Sequence, residues 1–332
     1  MMFPGALISL AVELTGAGAT FPYPFYSKAF SEFYRETGIK VNYQAIGSGG
    51  GIRQMLARSV DFGATDAFMT DEELKKAGGE ILHFPTVLGA VVVVYNLPVK
   101  GEIKLTGDLI AKIFMGKIKR WNDPALVALN PQLKNLSIPI IVVHRSDGSG
   151  TTFIFSDYLS KVSPEWKKKI GAGKALRWLT GIGAKGNPGV AGYVKRMKGA
   201  IGYVELAYAL QNRMKYALIK NRAGRFVRPE IKSITAAANI KVPYDTRVSI
   251  TDTPSSDGYP ISSFTWIIVY RDLKYGKMDL EKAKALKKML KFLFTKAQKW
   301  APSLDYAPLP SSVVKLNLKK LDALTYGGKP LD

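Results

Sequence analysis

The hydrophobic positions of the chain form short apolar runs that alternate with stretches whose apolar residues recur at helical spacing. The longest run, Thr86 to Asn96, is rich in β-branched residues and predicts a strand buried on both faces. Phe264 to Tyr270 predicts a second long buried strand, and Ile138 to Val143 and Ala200 to Glu205 predict two more. Because strand and helix patterns alternate along most of the chain, we predict an α/β fold with mainly parallel sheets.

Three of the predicted helices begin directly after a glycine-rich turn. Gly16 to Phe21 precedes a helical pattern that ends at Gly38, and the strand pattern Val41 to Ile46 leads into the turn Gly47 to Gly51. A third turn, Asp147 to Gly150, joins a strand to a helix. The first N–H groups of a helix have no partner within the helix and lie at the positive end of its dipole. Three such helix starts can converge on one anion, which the glycines allow to approach closely.

The third turn also carries side chains suited to a tetrahedral oxyanion. Arg145 offers a planar guanidinium, and Ser149 and Thr151 offer hydroxyl donors. Asp147 stands two residues from Arg145, where its carboxylate could hold the guanidinium in position. For this turn alone an ordinary helix N-cap is the simpler interpretation. The two similar turns elsewhere in the chain favour a shared ligand site.

One carboxylate has no evident local role. Val60 to Asp66 predicts a short strand that ends in Asp66, and Thr70 to Glu73 matches a capping box at the start of the next helix. The capping box explains the acids that follow Asp66 but leaves Asp66 itself unexplained. An Asx-turn and a functional carboxylate are equally compatible with its position.

Two segments lack a clear strand or helix pattern. Gly181 to Gly189 predicts a glycine-rich loop. Lys232 to Asp257 is polar with weak periodicity and predicts an excursion between two lobes. A length of 332 residues suits two α/β lobes better than a single core.

Composition excludes several kinds of chemistry. The chain has no cysteine, which excludes disulfides, thiolate metal sites and a cysteine nucleophile. Its two histidines, His83 and His144, flank apolar runs and are better explained as packed or surface residues than as metal ligands. His144 would be a poor base if the neighbouring Arg145 depresses its proton affinity. No P-loop, dinucleotide fingerprint or G-x-S-x-G elbow accompanies the glycine turns.

The chain is strongly basic, with 48 lysines and arginines against 26 acidic residues and a net charge of +22. Such a charge attracts anions and nucleic acids alike. The densest lysine cluster follows the pattern Leu280 to Trp300, which we interpret as a docked amphipathic helix with a solvated basic face. No RNA-binding aromatic motif or zinc-finger spacing is present, so we expect no nucleic-acid partner.

The N-terminus contains the apolar run Ala6 to Val12, which is too short to span a bilayer. We interpret residues 1–13 as a signal remnant, a disordered N-terminus or an altered start. No other segment of the sequence is long and apolar enough to cross a membrane.

Seven motifs together identify a resemblance that covers nearly the whole chain from Leu14 to Pro310. They occur in the order LTGAGATFPYPFY (Leu14 to Tyr26), NYQAIGSGGG (Asn42 to Gly51), VDFGATDA (Val60 to Ala67), RSDGSGTTFIF (Arg145 to Phe155), GNPGVAGYV (Gly186 to Val194), GAIGYVELAYA (Gly199 to Ala209) and LDYAPLP (Leu304 to Pro310). The chain closely resembles the phosphate-binding proteins of bacterial and archaeal high-affinity phosphate ABC importers.

The resemblance implies a two-lobed periplasmic-binding-protein fold of type II, with two α/β domains joined by crossover strands. Lobe I would comprise residues 14–92 and 264–332, and lobe II residues 93–263. The ligand would be one inorganic phosphate in the cleft between them. The resemblance further implies a periplasmic or extracytoplasmic monomer that delivers phosphate to the permease and ATPase subunits of an importer. It implies no catalytic residue, no cofactor and no metal.

The resemblance also implies a set of ligand residues. Segments of the family that bind phosphate match Thr20, Phe21, Ser48, Arg145, Ser149, Gly150 and Thr151, with Asp147 and Gly49 in support. Asp66 matches the aspartate that accepts a proton from the phosphate. Some relatives have a second serine at the position of Gly49, so we expect a hydroxyl to be missing at the rim while the backbone N–H remains.

The role implied for Asp66 has a physical basis. Phosphate and sulfate are tetrahedral oxyanions of similar size, so a dry site of donors alone would take both. A carboxylate finds a proton on phosphate but only a lone pair on sulfate, and the unpaired buried group can discriminate by about 10⁴ to 10⁵.

Two other functions stay open from the residues alone. The same donors could stabilise a phosphoryl transition state, which would make the chain a phosphate-ester hydrolase. That alternative lacks a base-activated nucleophile, a metal cluster and a nucleotide loop in the sequence. Binding of nucleic acid through bulk charge is the third possibility, and it predicts a steep salt dependence.

Overall fold

Two long buried strands pass through the centre of the molecule. The computed structural model describes residues 11–332, and in it Ile81–Tyr95 and Ser262–Tyr270 are strands whose side chains are all buried. Both strands confirm the sequence prediction, although the first begins five residues earlier than the β-branched run. Pro85 stands directly before that run and lies where the register of the two strands shifts, and a strand tolerates proline at such a bulge.

The strands are β1 (Glu13–Gly18), β2 (Lys40–Ala45), β3 (Phe62–Thr65), β4 (Ile81–Tyr95), β5 (Lys104–Leu105), β6 (Ile141–Arg145), β7 (Ile182–Ala184), β8 (Ala200–Glu205), β9 (Lys215–Tyr216), β10 (Leu218–Lys220), β11 (Phe226–Val227), β12 (Ser262–Tyr270), β13 (Thr325–Tyr326) and β14 (Lys329–Pro330). The helices are α1 (Tyr23–Thr37), α2 (Ser48–Leu56), α3 (Asp71–Lys76), α4 (Gly107–Phe114), α5 (Pro124–Val127), α6 (Gly150–Val162), α7 (Pro164–Lys169), α8 (Gly186–Arg196), α9 (Leu206–Gln211), α10 (Ile231–Ala237), α11 (Leu280–Phe294) and α12 (Ser311–Leu321). Short 3₁₀ turns lie at Pro131–Leu133, Lys296–Trp300 and Pro302–Leu304.

Strand β4 belongs to two sheets and thereby joins two lobes. Its first part pairs with β12, and the order β2-β1-β3-β12-β4 forms the sheet of the first lobe. Its last part pairs with β8, and the order β4-β8-β6-β7 forms the sheet of the second lobe. The partner changes between Ala90, which pairs with Ser262, and Val91, which pairs with Glu205. The two-lobed α/β fold is therefore confirmed, whereas the lobe boundaries at residues 92/93 and 263/264 stay predictions. The prediction of mainly parallel sheets is wrong: both sheets are mixed, because the long strands β4 and β12 pair antiparallel with their neighbours.

Helix ends follow the local chemistry of the sequence. Helix α1 ends before Gly38, whose φ of 73° is a left-handed conformation that glycine adopts without strain. Helix α3 begins with the predicted capping box, in which Thr70 and Glu73 exchange hydrogen bonds. Helix α11 buries its apolar side and exposes lysines, as predicted, but it ends at Phe294 because Thr295 leaves the helical conformation.

The glycine-rich segment after residue 180 is ordered secondary structure, which corrects the loop predicted for Gly181 to Gly189. It contains the edge strand β7 and the start of α8. Gly181 has a φ of 96°, and a Cβ there would lie 2.6 Å from the Val142 carbonyl oxygen. The glycine thus allows β7 to approach β6 closely. The strand was not predicted because its three residues are too few to show a strand periodicity.

The polar segment Lys232 to Asp257 contacts both lobes, as the predicted excursion between lobes requires. Its first residues lie in α10. Thr246 donates to the carbonyl oxygen of His83 in the first lobe at 2.8 Å, and the Thr251 hydroxyl accepts from Lys161 in the second lobe at 2.8 Å.

Both histidines are packed, as predicted. His83 is buried and accepts the Met69 N–H at 3.0 Å, whereas His144 stacks on Trp178 with ring centroids 4.6 Å apart. Burial, rather than the neighbouring Arg145, lowers the pKa of His144. Within residues 11–332 no group of three or more histidine, aspartate or glutamate side chains is arranged to hold a metal ion.

The expected signal remnant falls mostly outside the described residues, and Glu13 at its end already belongs to β1. Among the described helices, none combines the length and the apolar character that a membrane crossing requires.

Candidate functional site

The candidate site lies where the carboxyl ends of the parallel strands of the two lobes face each other. In the first lobe these are the ends of β1, β2 and β3, and in the second lobe those of β6 and β7. Helices α2, α6 and α8 begin near these ends, and their first turns contact the opposite lobe. In open α/β sheets this edge is the usual ligand site, because helix starts and strand ends leave polar backbone groups there.

The two lobes are in direct contact around the site. The Asn187 amide of α8 donates to the Thr20 hydroxyl at 2.7 Å, and the N–H of Gly49 donates to the carbonyl oxygen of Gly148 at 2.9 Å. A Cβ on Gly150 would lie only 2.4 Å from Oδ2 of Asp66. The structure is therefore a closed form, in which glycine at position 150 lets the two lobes meet.

Arg145 ends β6 and lies almost completely buried, with its side chain 1% exposed. Its Nε and Nη2 donate to the two carboxylate oxygens of Asp147, both at 2.7 Å. Its third nitrogen, Nη1, is buried and has no hydrogen-bond partner within residues 11–332. A buried guanidinium donor without a partner is costly, so Nη1 marks a position where an acceptor is expected.

Asp147 holds Arg145 in this orientation, as the sequence suggested. Burial acts to raise the pKa of Asp147, but the Arg145 guanidinium and the N–H of Gly186 outweigh it and hold that pKa below its ordinary value. The carboxylate therefore stays ionised. Two of the three guanidinium nitrogens are fixed by a two-point ion pair, which leaves Nη1 in a defined direction.

Asp66 follows β3 and is 1% exposed. Its Oδ1 accepts the Thr265 hydroxyl at 2.8 Å, while its Oδ2 has, among the described residues, only a long contact of 3.4 Å with the Ser48 hydroxyl. Burial raises the pKa of Asp66 to about 7, against the lowering effects of Thr265, Arg145 and Ser48. Asp66 is thus a buried carboxyl group that exchanges a proton near neutral pH, and its Oδ2 is free to bond a further group.

Four hydroxyl groups line the same region, and each already accepts an N–H from the protein. The acceptor and donor pairs are Thr20 with Asn187, Ser48 with the N–H of Asp66, Ser149 with the N–H of Thr152, and Thr151 with the amide of Asn187. All four residues are buried. A hydroxyl that accepts one bond keeps its hydrogen for another acceptor. The hydroxyls are therefore prepared to donate.

Backbone donors complete the set. Gly150 and Thr151 are the first residues of α6, after the N-cap Ser149, so their N–H groups lie in the turn that has no acceptor within the helix. Phe21 is buried, and its carbonyl oxygen accepts the Tyr306 hydroxyl at 2.6 Å, which fixes the loop between β1 and α1.

Contacts bring expected residues of both lobes into one cluster. Asn187 joins Thr20 to Thr151, and Gly150 lies against Asp66 and Ser48. Whether these residues bind phosphate stays a prediction at this point.

Gly49 differs from its expected role. Its N–H donates to the carbonyl oxygen of Gly148 in the opposite lobe, so this N–H is not available to a ligand in the closed form. A Cβ at position 49 would lie 3.1 Å from the Cα of Gly148. The backbone N–H expected at Gly49 is present, and in the closed form it serves the contact between the lobes.

Two residues of the cluster were not predicted to have a role. Thr265 lies within the apolar run of β12, and only its polar character among buried neighbours distinguishes it in the sequence. Asn187 lies in the motif GNPGVAGYV, but its partner Thr20 is 167 residues away. No local pattern connects residues so distant.

The fold and the cluster define a two-lobed binding protein, and the comparisons with known proteins identify its class. Residues 9–297 match the PBP superfamily domain. The chain belongs to this superfamily and, within it, to the family of the phosphate-binding protein PstS. This confirms the resemblance drawn from the sequence motifs.

The assignment to the PstS family rests on relatives from bacteria and archaea. The chain is 48% identical to the phosphate-binding protein PstS of Haemophilus influenzae over 309 residues, which cover 92% of this chain and 91% of that protein. It is 37% identical to the PstS of Methanocaldococcus jannaschii over 334 residues, which cover 92% and 85% respectively.

Solved structures agree on the fold. A high-affinity periplasmic phosphate-binding protein determined with bound phosphate has a TM-score of 0.76 and 20% identity, with 95% of this chain and 96% of that chain covered. A phosphate-binding protein from Stenotrophomonas maltophilia has a TM-score of 0.71 and 20% identity, with 92% of each chain covered. At these identities the likeness concerns the fold.

Proposed function

We propose that this chain is an extracytoplasmic receptor that encloses one inorganic phosphate between its lobes and delivers it to an ABC importer. The observation that carries the proposal is the buried Nη1 of Arg145, which lacks a partner within the described residues. Hydroxyl groups and helix N-termini surround the same region, and such a set of donors suits a tetrahedral oxyanion. The names of the relatives, all phosphate-binding proteins, support phosphate as that anion.

We assign the ligand contacts to the predicted residues. Arg145 Nη1, the N–H groups of Phe21, Gly150 and Thr151, and the hydroxyls of Thr20, Ser48, Ser149 and Thr151 would donate to phosphate oxygens. Asp66 would accept the remaining phosphate hydrogen through Oδ2, since Thr265 occupies Oδ1. Donors then supply the affinity and Asp66 supplies the discrimination against sulfate.

Calorimetry of the ligand-stripped protein tests the receptor. We expect phosphate to bind with a stoichiometry of about one per chain, as a single site requires. Arg145→Ala removes the charged donor and leaves the half-buried Asp147 carboxylate without its cationic partner, which weakens phosphate binding by about 100-fold or more. Arg120→Ala is the matched control, because Arg120 is exposed on the second lobe and, within residues 11–332, its side chain bonds only to Ser137. Equal phosphate affinity in both variants would contradict the proposed site.

We further propose that the protein is not an enzyme. The Ser149 hydroxyl caps α6 by accepting the Thr152 N–H, and the described residues place no histidine at the cluster to activate it. Incubation with a chromogenic phosphomonoester tests this point. Turnover that disappears in Asp66→Asn or Ser149→Ala would establish the hydrolase instead.

The importer partners follow from the family. We propose that a monomer delivers phosphate to the permease and ATPase subunits of a phosphate importer. Reconstitution of phosphate uptake in vesicles that carry those subunits tests this step, with Arg145→Ala as the binding-deficient control. Uptake that does not depend on this protein would contradict it.

A further inference from the structure

Asn187 is the second residue of α8 and has no exposed surface. It lies at the junction of the two lobes, where it contacts one threonine from each. It is not among the residues that we assign as ligand contacts. Its hydrogen bonds nevertheless determine what two of those residues can do.

The orientation of the Asn187 amide is fixed from behind. The N–H of Glu205 can only donate, and it lies 2.8 Å from Oδ1 of Asn187. The oxygen of the amide must therefore face Glu205, and the NH₂ group must face the threonines. Its Nδ2 lies 2.7 Å from the Thr20 hydroxyl and 3.1 Å from the Thr151 hydroxyl.

These bonds use the acceptor capacity of the hydroxyls. The Thr20 hydroxyl oxygen accepts a bond from Nδ2 of Asn187 and a second one, at 3.2 Å, from the backbone N–H of Asn187. A hydroxyl has two lone pairs and one hydrogen, so Thr20 can then act only as a donor. Thr151 accepts one bond from the same amide and keeps its hydrogen.

We propose that Asn187 is a positioning residue that turns the hydroxyls of Thr20 and Thr151 into donors aimed at the bound oxyanion. The inference rests on the proposed phosphate site. Because Thr20 belongs to the first lobe and Thr151 to the second, the amide orients both hydroxyls only when the lobes are closed. Asn187 thus links closure of the cleft to the formation of its donors.

The substitution Asn187→Asp reverses the direction of these bonds at nearly constant volume. One carboxylate oxygen still accepts the Glu205 N–H, but the other has no hydrogen to give. The threonine hydroxyls would then donate to the carboxylate and turn their lone pairs toward the phosphate. We expect phosphate to bind about 100-fold more weakly or worse, since two donors are lost and an anion is added.

Asn187→Ala separates hydrogen direction from packing. It removes the amide without adding an acceptor, so the hydroxyls stay free to rotate toward phosphate. We expect a loss of about tenfold, consistent with one neutral hydrogen-bond network. An equal loss in the alanine and aspartate variants would show that packing alone is at work and would overturn the inference.

A double-mutant cycle gives a readout that a merely structural role would not change. If Asn187 acts through the hydroxyls, Asn187→Asp should cost much less phosphate affinity in a Thr20→Val, Thr151→Val background than in the wild type. Additive losses would overturn the inference. The cycle with Asn187→Ala asks the same question if the aspartate variant does not fold.

Asn130→Asp is the matched control. Asn130 is also buried, its Oδ1 accepts the Lys104 N–H at 2.8 Å, and its NH₂ donates to the carbonyl oxygens of Lys104 and Leu126. We expect this control to lower the melting temperature and leave phosphate affinity unchanged. If wild-type protein binds phosphate and Asn187→Asp binds it within about twofold, the inference alone is overturned, since loss of a single hydrogen bond changes affinity by more than about twofold. Wild-type protein that does not bind phosphate would overturn the proposed function.

Discussion

The substitution Asp66→Asn tests the source of anion discrimination most directly. In the structure the Thr265 hydroxyl donates to Oδ1 of Asp66 at 2.8 Å, so the amide oxygen of the asparagine should occupy that position. The NH₂ group then takes the place of Oδ2 and faces the ligand. A group that accepts a hydrogen from phosphate becomes a group that donates to any oxyanion.

The expected changes in phosphate and sulfate affinity follow from which ligand atom faces Oδ2 of Asp66. With sulfate, the wild-type carboxylate would be buried against a lone pair, and such an unpaired group discriminates by about 10⁴ or more. In Asp66→Asn the amide donates to both anions, so the ratio of the two affinities should fall to about tenfold or less, as for sites that lack a discriminating bond. Phosphate loses a charged bond and gains a neutral one, which costs about 1 kcal/mol, or about fivefold in affinity.

The pKa of Asp66 adds an internal check. Because burial raises this pKa to about 7, the carboxyl is ionised above neutral pH and protonated below it. A protonated carboxyl can donate to sulfate, so sulfate affinity of the wild-type protein should rise as the pH falls through about 7. The asparagine does not titrate, so the sulfate affinity of Asp66→Asn should lack that transition.

Competition calorimetry with phosphate and sulfate across pH 5 to 9 (about two units on either side of the expected transition) measures both effects. Asp61→Asn is the matched control, because Asp61 is also buried in the first lobe but bonds to Thr15 and Lys282. It should lower stability and leave the ratio of affinities unchanged. An Asp66→Asn protein that loses phosphate and sulfate affinity equally would refute the role of Asp66 as proton acceptor.

Three further predictions concern closure and stability. Gly150→Ala would bring a Cβ to 2.4 Å from Oδ2 of Asp66, so scattering should show an open protein even with phosphate present, and a compact one would contradict the tight fit. Lys174 and Glu73 form an ion pair across the cleft at 2.8 Å, and both side chains are partly exposed. Lys174→Met should therefore raise the phosphate dissociation rate in stopped-flow experiments by only about fivefold or less. A larger increase would show that this ion pair is a main stabiliser of the closed form. Burial lowers the pKa of Lys320 to about 7 in the folded protein, whereas in the unfolded chain its pKa is about 10.4. Between about pH 7 and about pH 10.4 the unfolded chain therefore binds one more proton at this lysine. The free energy of unfolding should rise with pH over this range by up to about 1.4 kcal/mol per pH unit. Chemical denaturation of wild type and Lys320→Met, compared across this range, should show that contribution only in the wild type, and parallel curves would contradict it.

Much of the fold could be predicted from local pattern because the responsible forces are local. The buried strands can be predicted from β-branched runs, and the helix starts can be predicted from glycine turns and a capping box. Strand β7 escaped prediction because three residues carry no periodicity. The early start of β4 was not predicted because Pro85 separates residues 81–84 from the β-branched run, although the bulge opposite β12 accommodates this proline.

The site divides in the same way. Residues within one turn, such as Arg145, Asp147 and Ser149, could be grouped from their spacing. The role of Asn187 could not, because its bonds join residues of different lobes that meet only after folding. Gly49 shows the same limit, because its N–H donates to the carbonyl oxygen of Gly148 in the other lobe, and only the folded, closed cleft brings these two residues together.

The charge balance of the site indicates that different features of the protein hold a bound anion and attract a free one. The Arg145 cation is matched by the ionised Asp147, and Asp66 near neutral pH carries at most one further negative charge. The residues at the cluster therefore bring no net positive charge to a bound anion. Hydrogen-bond donors and helix dipoles must hold it, and closure of the lobes brings the donors of both lobes together around it. The net charge of +22 lies elsewhere on the chain and is screened beyond about 10 Å at ordinary salt, so it acts on the encounter with phosphate rather than on its retention.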